Sequence, residues 1–182
     1  YVALKFPRWD LQKFQQVSTQ LGTEMKSVGE VMSLGRSFEE VLQKAIRMLD
    51  VGMKGFIGNQ LQFKDLDKEL SEPTDKRIFV IAEALKQGYT VDKIHQLTKI
   101  TKWFLYKMKN IVDLENYAKG MTIDKIDFEL MKHLKQSGFS DLQIGQIVNA
   151  DEMTVRNYRK SLKIIPVVKQ IDTMAAEFPA QT

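Results

Sequence analysis

The chain has no cysteine, which excludes disulfides, thiolate nucleophiles and thiolate metal sites and suits a reducing compartment. Histidine is almost as scarce, with only His95 and His133. They fall on different expected helices with no motif around either. Ser–His–carboxylate catalysis and a histidine metal centre therefore lack their parts, and both read as ordinary helical residues. Long apolar runs are missing too: stretches such as 78–82 are far too short to span a bilayer, and no signal-peptide pattern opens the chain. Neither charge dominates. With 27 basic and 23 acidic residues the net charge is +4 and the pI about 9.1, an excess that permits an acidic partner without requiring nucleic acid. What remains is ordinary globular composition, 43% hydrophobic over 182 residues, enough to bury one good core.

The most informative stretch is 101–120. Phe104, Leu105, Met108, Ile111 and Val112 recur at helical spacing, and Trp103, Tyr106 and Leu114 widen the stripe beyond one buried face. A helix that apolar needs neighbours on several sides, which predicts the central helix of a mainly α domain. Thr101 offers a hydroxyl cap at its start and Gly120 a left-handed stop at its end.

Ahead of it, Val2, Leu4 and Phe6 alternate with Ala3 and Lys5 in the period of a half-buried strand, with Pro7 expected to stop it. Residues 8–34 are irregular in pattern. Within them MKSVGEVM (25–32) reads locally as a turn, although Lys26 and Ser27 can bind anionic oxygens, Gly29 permits close backbone approach and Glu30 can orient a cation or base. Ser37 then opens a clear helix, with Glu40 completing a capping box and Phe38, Val41, Leu42, Ala45, Ile46 and Leu49 forming the apolar face. Residues 51–72 read as a linker ending in a short helical turn. The glycines at 52, 55 and 58 lack the preceding strand and the GK[ST] ending of a phosphate loop, and Asp65, Asp67, Glu69 and Glu72 look solvated. A helix is expected over 75–87, stopped by Gly88.

From Gly88 an internal repeat appears at an offset of fifty residues: GYTVDKIHQLTKITKWFLYKMKNI (88–111) lies over GFSDLQIGQIVNADEMTVRNYRKS (138–161). In each copy a glycine ends one helix, Thr90 or Ser140 caps a second, and after a short turn a third begins at Thr101 or Asp151. With the preceding helices, 75–87 and 124–137, this gives two three-helix units of helix-turn-helix type. The second invites a nucleic-acid reading, since Arg156, Arg159, Lys160 and Lys163 share a helical stripe. Against it, Asp151 and Glu152 occupy the helix start where groove contacts usually begin, and a solvated or protein-facing surface is the better reading. The tail is expected to be extended through Val168, with a helical turn after Asp172.

The blocks PRWDLQKF, MKSVGEVMSLGRSFEEVLQKAIRML, TDKRIFVIAEAL, WFLYKM, GFSDLQI and VKQIDTMAAEFPAQT, in that order, resemble the large chain of carbamoyl-phosphate synthetase. They look closest to eukaryotic members, including the multifunctional pyrimidine-pathway type. The resemblance implies that 1–50 is the end of the first, carboxyphosphate-forming ATP-grasp half, contributing a strand and a helix. It makes 51–72 a linker and 73–182 a helical oligomerisation domain leading to the second half. Such enzymes make carbamoyl phosphate from bicarbonate, ammonia (usually from glutamine) and two ATP, for pyrimidine or arginine/urea synthesis. The implied partners are the two ATP-grasp halves, a second copy through self-association, and a glutaminase subunit or domain, with no nucleic acid and no membrane. ATP with magnesium or manganese is implied for the whole enzyme, and none bound by this segment, which is expected to be inactive alone. A cytoplasmic location is implied, the mitochondrial matrix being the alternative. Lys26, Ser27 and Glu30 are the candidates for active-site support. Trp103, Phe104 and Tyr106 are the candidates for an oligomer interface.

Overall fold

The computed structural model describes residues 1–13 and 17–171. The helical turn expected after Asp172, and most of the block VKQIDTMAAEFPAQT, lie outside these residues. The chain begins with an antiparallel pair, β1 (Val2–Arg8) and β2 (Gly29–Gly35), in which Leu4 faces Ser33 and Pro7 faces Glu30. Pro7 therefore lies inside its strand. A two-stranded sheet leaves each strand an outer edge, where a missing N–H leaves no partner unsatisfied. The strand's partner is itself unexpected: half of MKSVGEVM is β2, not a turn. The buried Ser33 donates its hydroxyl to the Val41 carbonyl at 2.7 Å, tying β2 to the helix that follows.

That helix, α1 (Phe38–Met48), is capped by Ser37, whose hydroxyl accepts from the Glu40 N–H at 3.2 Å. The reciprocal half of the box differs from expectation: the Glu40 carboxylate accepts from the Arg36 N–H at 2.8 Å. Val41, Leu42, Ala45, Ile46 and Leu49 are buried, while Phe38 is only half-buried.

Residues 51–64 are irregular, but they are packed. Phe56 and Ile57 are 1% and 3% exposed and join the main core, where each contributes about 1.5–3 kcal/mol of hydrophobic stabilisation. Next come α2 (Leu66–Ser71), capped by Asp65, and α3 (Arg77–Lys86), which starts two residues later than the sequence suggests.

The repeat is real. In the first unit α3 leads to α4 (Val91–Thr98) and α5 (Lys102–Ala118); in the second α6 (Phe128–Gln136) leads to α7 (Asp141–Val148) and α8 (Glu152–Ser161). Gly88 and Gly138 both adopt φ of 85°, and the residue after each donates back to Ala84 or Leu134. Thr90 and Ser140 cap α4 and α7, and these helices end in left-handed Lys99 and Asn149, φ 60° and 54°. The turns that follow use different groups. The His95 ring hydrogen-bonds the Ile100 carbonyl at 2.7 Å, whereas at the matching Gly145 an added Cβ would lie 2.4 Å from the Ala150 oxygen. The helix expected over 124–137 is broken: a 3-10 turn at Ile123–Lys125 precedes α6, which Asp127 caps.

α5 is central, packing against α1, α3, α4 and α7. Leu105, Met108, Ile111, Val112, Leu114 and Ala118 are buried along it. Its ends divide: Gly120 is left-handed as expected, but Thr101 makes no side-chain cap bond.

Candidate association surface

Spacing alone puts Phe104 in the buried stripe of α5. In the structure it is 40% exposed, with Trp103 and Tyr106 at 54% and 53%. Leu105 and Met108 fill the inward face, and Trp103 and Phe104 lie against Phe38 at the flank of α1. Phe38 meets Trp103 edge-on at 5.8 Å and Phe104 at 5.3 Å, and the latter two rings are 5.0 Å apart. The result is an aromatic cluster packed beneath and open above.

Polar groups fix its border. Glu39 is buried; one carboxylate oxygen accepts from Asn110 at 2.9 Å and pairs with Lys107 at 3.5 Å, while the other has no hydrogen-bond partner. Lys107 also lies 5.5 Å from the Trp103 ring centre. At the start of α5 Lys102 bonds Asp92 at 2.5 Å, which holds the Asp92 carboxyl below its ordinary value and raises the Lys102 amine. Further along, Lys109 pairs with Asp113, and Tyr117 is 66% exposed.

Lys26, Ser27 and Glu30 are not drawn into one constellation. Lys26 Nζ donates to the Gln20 carbonyl at 2.9 Å and pairs with Glu24 at 3.3 Å, folding its own loop. Glu30 reaches across the sheet to Lys5 at 2.8 Å, and Ser27 is exposed. The basic stripe of the second unit is broken as well. Arg159 is buried, its Nε–H shared between both Asp141 oxygens at 2.9 Å, and Lys163 falls beyond α8 with φ of 60°. Lys135 adds a bond to Asp141 at 2.8 Å. Burial alone would raise the Asp141 carboxyl, but Lys135 and Arg159 together hold it below its ordinary value. Burial pushes the Lys135 amine down, against the opposing pull of Asp141.

A second polar assembly escaped the sequence reading. Gln143 donates to Gln43 at 2.9 Å and to the Ile57 carbonyl at 3.3 Å, and accepts from Arg47 at 3.1 Å and from the Ser140 N–H at 3.0 Å. Gln43 in turn donates to the Ser137 carbonyl at 3.0 Å. Gly55 sits where a Cβ would come within 2.5 Å of Gln143 and 2.7 Å of Gln43. The glycine loop thus embraces two glutamines in place of a phosphate. One signal was available, Gln143 three residues after the capping Ser140. Among the described residues no three His, Cys, Asp or Glu gather as a metal site would require. Among them, too, no helix is long and apolar enough to cross a membrane.

Residues 30–163 match the family described as carbamoyl-phosphate synthetase large chain, oligomerisation domain. The multifunctional protein pyr1-3 of Dictyostelium discoideum is 54% identical over the whole chain, which covers 8% of that protein. The mitochondrial arginine-specific carbamoyl phosphate synthase large chain of Schizosaccharomyces pombe is also 54% identical over the whole chain, covering 16% of it. The multifunctional protein CAD of Squalus acanthias is 51% identical, again over the whole chain and 8% of its own length. The chain thus spans 8% to 16% of these relatives.

Proposed function

The chain belongs to the carbamoyl-phosphate synthetase large-chain family, as its oligomerisation domain, and we propose from this that it connects the two ATP-grasp halves and carries a self-association surface at Trp103, Phe104 and Tyr106. The observation that carries the proposal is the open aromatic cluster on α5, inside the matched region. Large rings exposed together are uncommon on a surface that meets only water. Residues 1–50 then close the first ATP-grasp half, with 51–72 and the helices beyond leading to the second. Among the described residues the sheet has only two strands, and Met32 on β2 and Met48 at the end of α1 are both 51% exposed, which is consistent with further chain packing there.

The whole enzyme phosphorylates bicarbonate, converts the product to carbamate with ammonia released by a glutaminase subunit or domain, and uses a second ATP to make carbamoyl phosphate. ATP and its magnesium or manganese bind outside this segment. The location is the cytoplasm, with the mitochondrial matrix as the alternative favoured by relatives whose names carry that word. Lys26, Ser27 and Glu30 support the first active site by shaping the loop and strand that reach it. Replacing Lys26 and Glu30 in the full-length enzyme is expected to depress the bicarbonate-dependent partial reaction; unchanged activity removes them.

Sedimentation of the chain over a range of concentrations, with and without duplex DNA at low salt, tests the association reading. Reversible association untouched by DNA supports it. A strict monomer makes the domain a connector only, and salt-sensitive DNA binding overturns the assignment.

A further inference from the structure

Arg47, Arg77 and Arg159 are all withdrawn from water, and they are not equally provided for. Arg77 donates to the Leu70 carbonyl at 3.1 and 2.9 Å and to the Thr98 carbonyl at 2.9 Å, while Arg159 holds Asp141 and the Ile164 carbonyl. Arg47 has far less. Its Nη1 donates to the Gln143 side-chain oxygen at 3.1 Å, and among the described residues the rest of the guanidinium has no acceptor and no carboxylate. Glu40 is taken by Lys44, and Asp50, three residues along, makes no ion pair with Arg47. Burial pushes the Arg47 guanidinium below its ordinary value with nothing opposing it, and the neighbouring Lys135 is a second cation. A desolvated charge is costly unless an opposite charge meets it.

Arg47 also stands in the wall of a cleft of about 430 Å³ between β2 and α1, with Met32, Ser33, Leu34, Lys44 and Met48. Two of these polar groups are already spent. Lys44 donates to the Leu34 carbonyl at 3.2 Å and pairs with Glu40, and Ser33 donates to Val41. What is left in the wall is one cation with spare donors, set among two methionines and a leucine. Resting on the reading that further chain packs beside β2, we infer that this cleft receives an aspartate or glutamate side chain from the part of the large chain outside residues 1–182, and that Arg47 binds its carboxylate. A guanidinium fork suits a carboxylate, taking it through two parallel bonds. Gln143, only 2% exposed, holds one arm of that fork in place beforehand. The chain spans 8% to 16% of its relatives, so there is chain to supply the acid. Met32, Leu34 and Met48 decide against a free phosphate, since an apolar wall is a poor exchange for the water around so hydrated an ion. An apolar neighbour of the acid would cover the two methionines instead.

Two measurements on the full-length enzyme separate the carboxylate from the packing. Arg47→Lys keeps the charge and supplies an amine, which a carbodiimide joins to any carboxylate in contact with it. Mass spectrometry of the digest is expected to show residue 47 linked to an Asp or Glu outside residues 1–182, with Lys44 linked to Glu40 as the internal reference. In the unsubstituted enzyme, peroxide should oxidise Met32 and Met48 at least about tenfold more slowly than in the chain alone, measured against Met25, which is 95% exposed. Arg47→Met serves if Arg47→Lys does not fold. In the chain alone it should move the urea midpoint by no more than about 0.3 M, since no carboxylate loses its partner there. In the full-length enzyme it should speed Met32 oxidation at least about threefold by loosening the docked segment. Protected methionines with residue 47 linked only within 1–182 or to nothing, or with protection that Arg47→Met does not touch, overturn the carboxylate while the packing stands. Methionines oxidised equally fast in the chain and in the whole enzyme overturn both.

Discussion

Asp141→Ala tests whether the second unit is held by charge or by packing alone. The substitution strands two cations unequally. Lys135 keeps the Phe139 carbonyl at 2.8 Å, and its side chain is 26% exposed, so water can replace the carboxylate. Among the described residues Arg159 keeps only the Ile164 carbonyl at 3.0 Å, and its side chain is 9% exposed. Removing one partner of a buried pair costs about 3–5 kcal/mol, and with only one cation fully stranded the lower end, about 3 kcal/mol, applies. For a urea slope of about 2 kcal/mol/M the midpoint falls by about 1.5 M, read by far-UV circular dichroism. Asp141→Leu combined with Arg159→Met should recover most of the loss, because apolar groups of similar volume stabilise a buried site about as well as the ion pair does. A midpoint lowered by less than about 0.3 M, or a double variant weaker than Asp141→Ala, refutes the reasoning.

The same carboxylate sets an acid limit. Its folded value lies below the ordinary one, so its contribution is complete above about pH 4 and is lost as pH falls through the folded value; Asp141→Asn should abolish this part of the acid unfolding slope. Gln143→Ala leaves Gln43 and the Ile57 carbonyl unsatisfied in a buried place and should cost about 2–3 kcal/mol in chemical denaturation. Gly138→Ala must hold φ of 85° and place a Cβ 2.9 Å from the Glu40 Cα, so a loss of about 1–3 kcal/mol in thermal unfolding is expected. Trp103→Ala, on a residue 54% exposed, should change folding stability by no more than about 1 kcal/mol while weakening association at least about tenfold in sedimentation.

The helices were legible where a cap and an apolar face coincide. Ser37, Thr90 and Ser140 each accept from the N–H three residues on, as their hydroxyls suggested. The fifty-residue repeat survived at Gly88 and Gly138 and at the caps Thr90 and Ser140, because these are local chemistry. β2 was hidden by Ser33, a polar residue at an inward position that breaks the apolar alternation; only the Val41 carbonyl makes burying it tolerable. Phe56 and Ile57 were hidden for a related reason. Three glycines announce an irregular backbone, but nothing local tells that Gln143 will meet the loop's Ile57 carbonyl and let it lie inside. The candidate surface was read from residue type at Trp103, Phe104 and Tyr106, and their exposure depends on how much of the α5 circumference α1, α3, α4 and α7 cover. Arg159 misled because charge pattern along one helix does not register Asp141, eighteen positions earlier on another.

Gln43 and Gln143 sit a hundred positions apart, and between them they hold α1, the glycine loop and the α6–α7 corner by hydrogen bonds, of which the one between the amides and the one to Ile57 are buried. A joint made of freely swivelling loop would let the bodies on either side drift independently. This one is braced. Between the strands beside α1 and the second helical unit stand close-packed, hydrogen-bonded contacts, and such contacts yield little under load. Mechanically, the joint between α1 and the second helical unit is a brace and not a hinge.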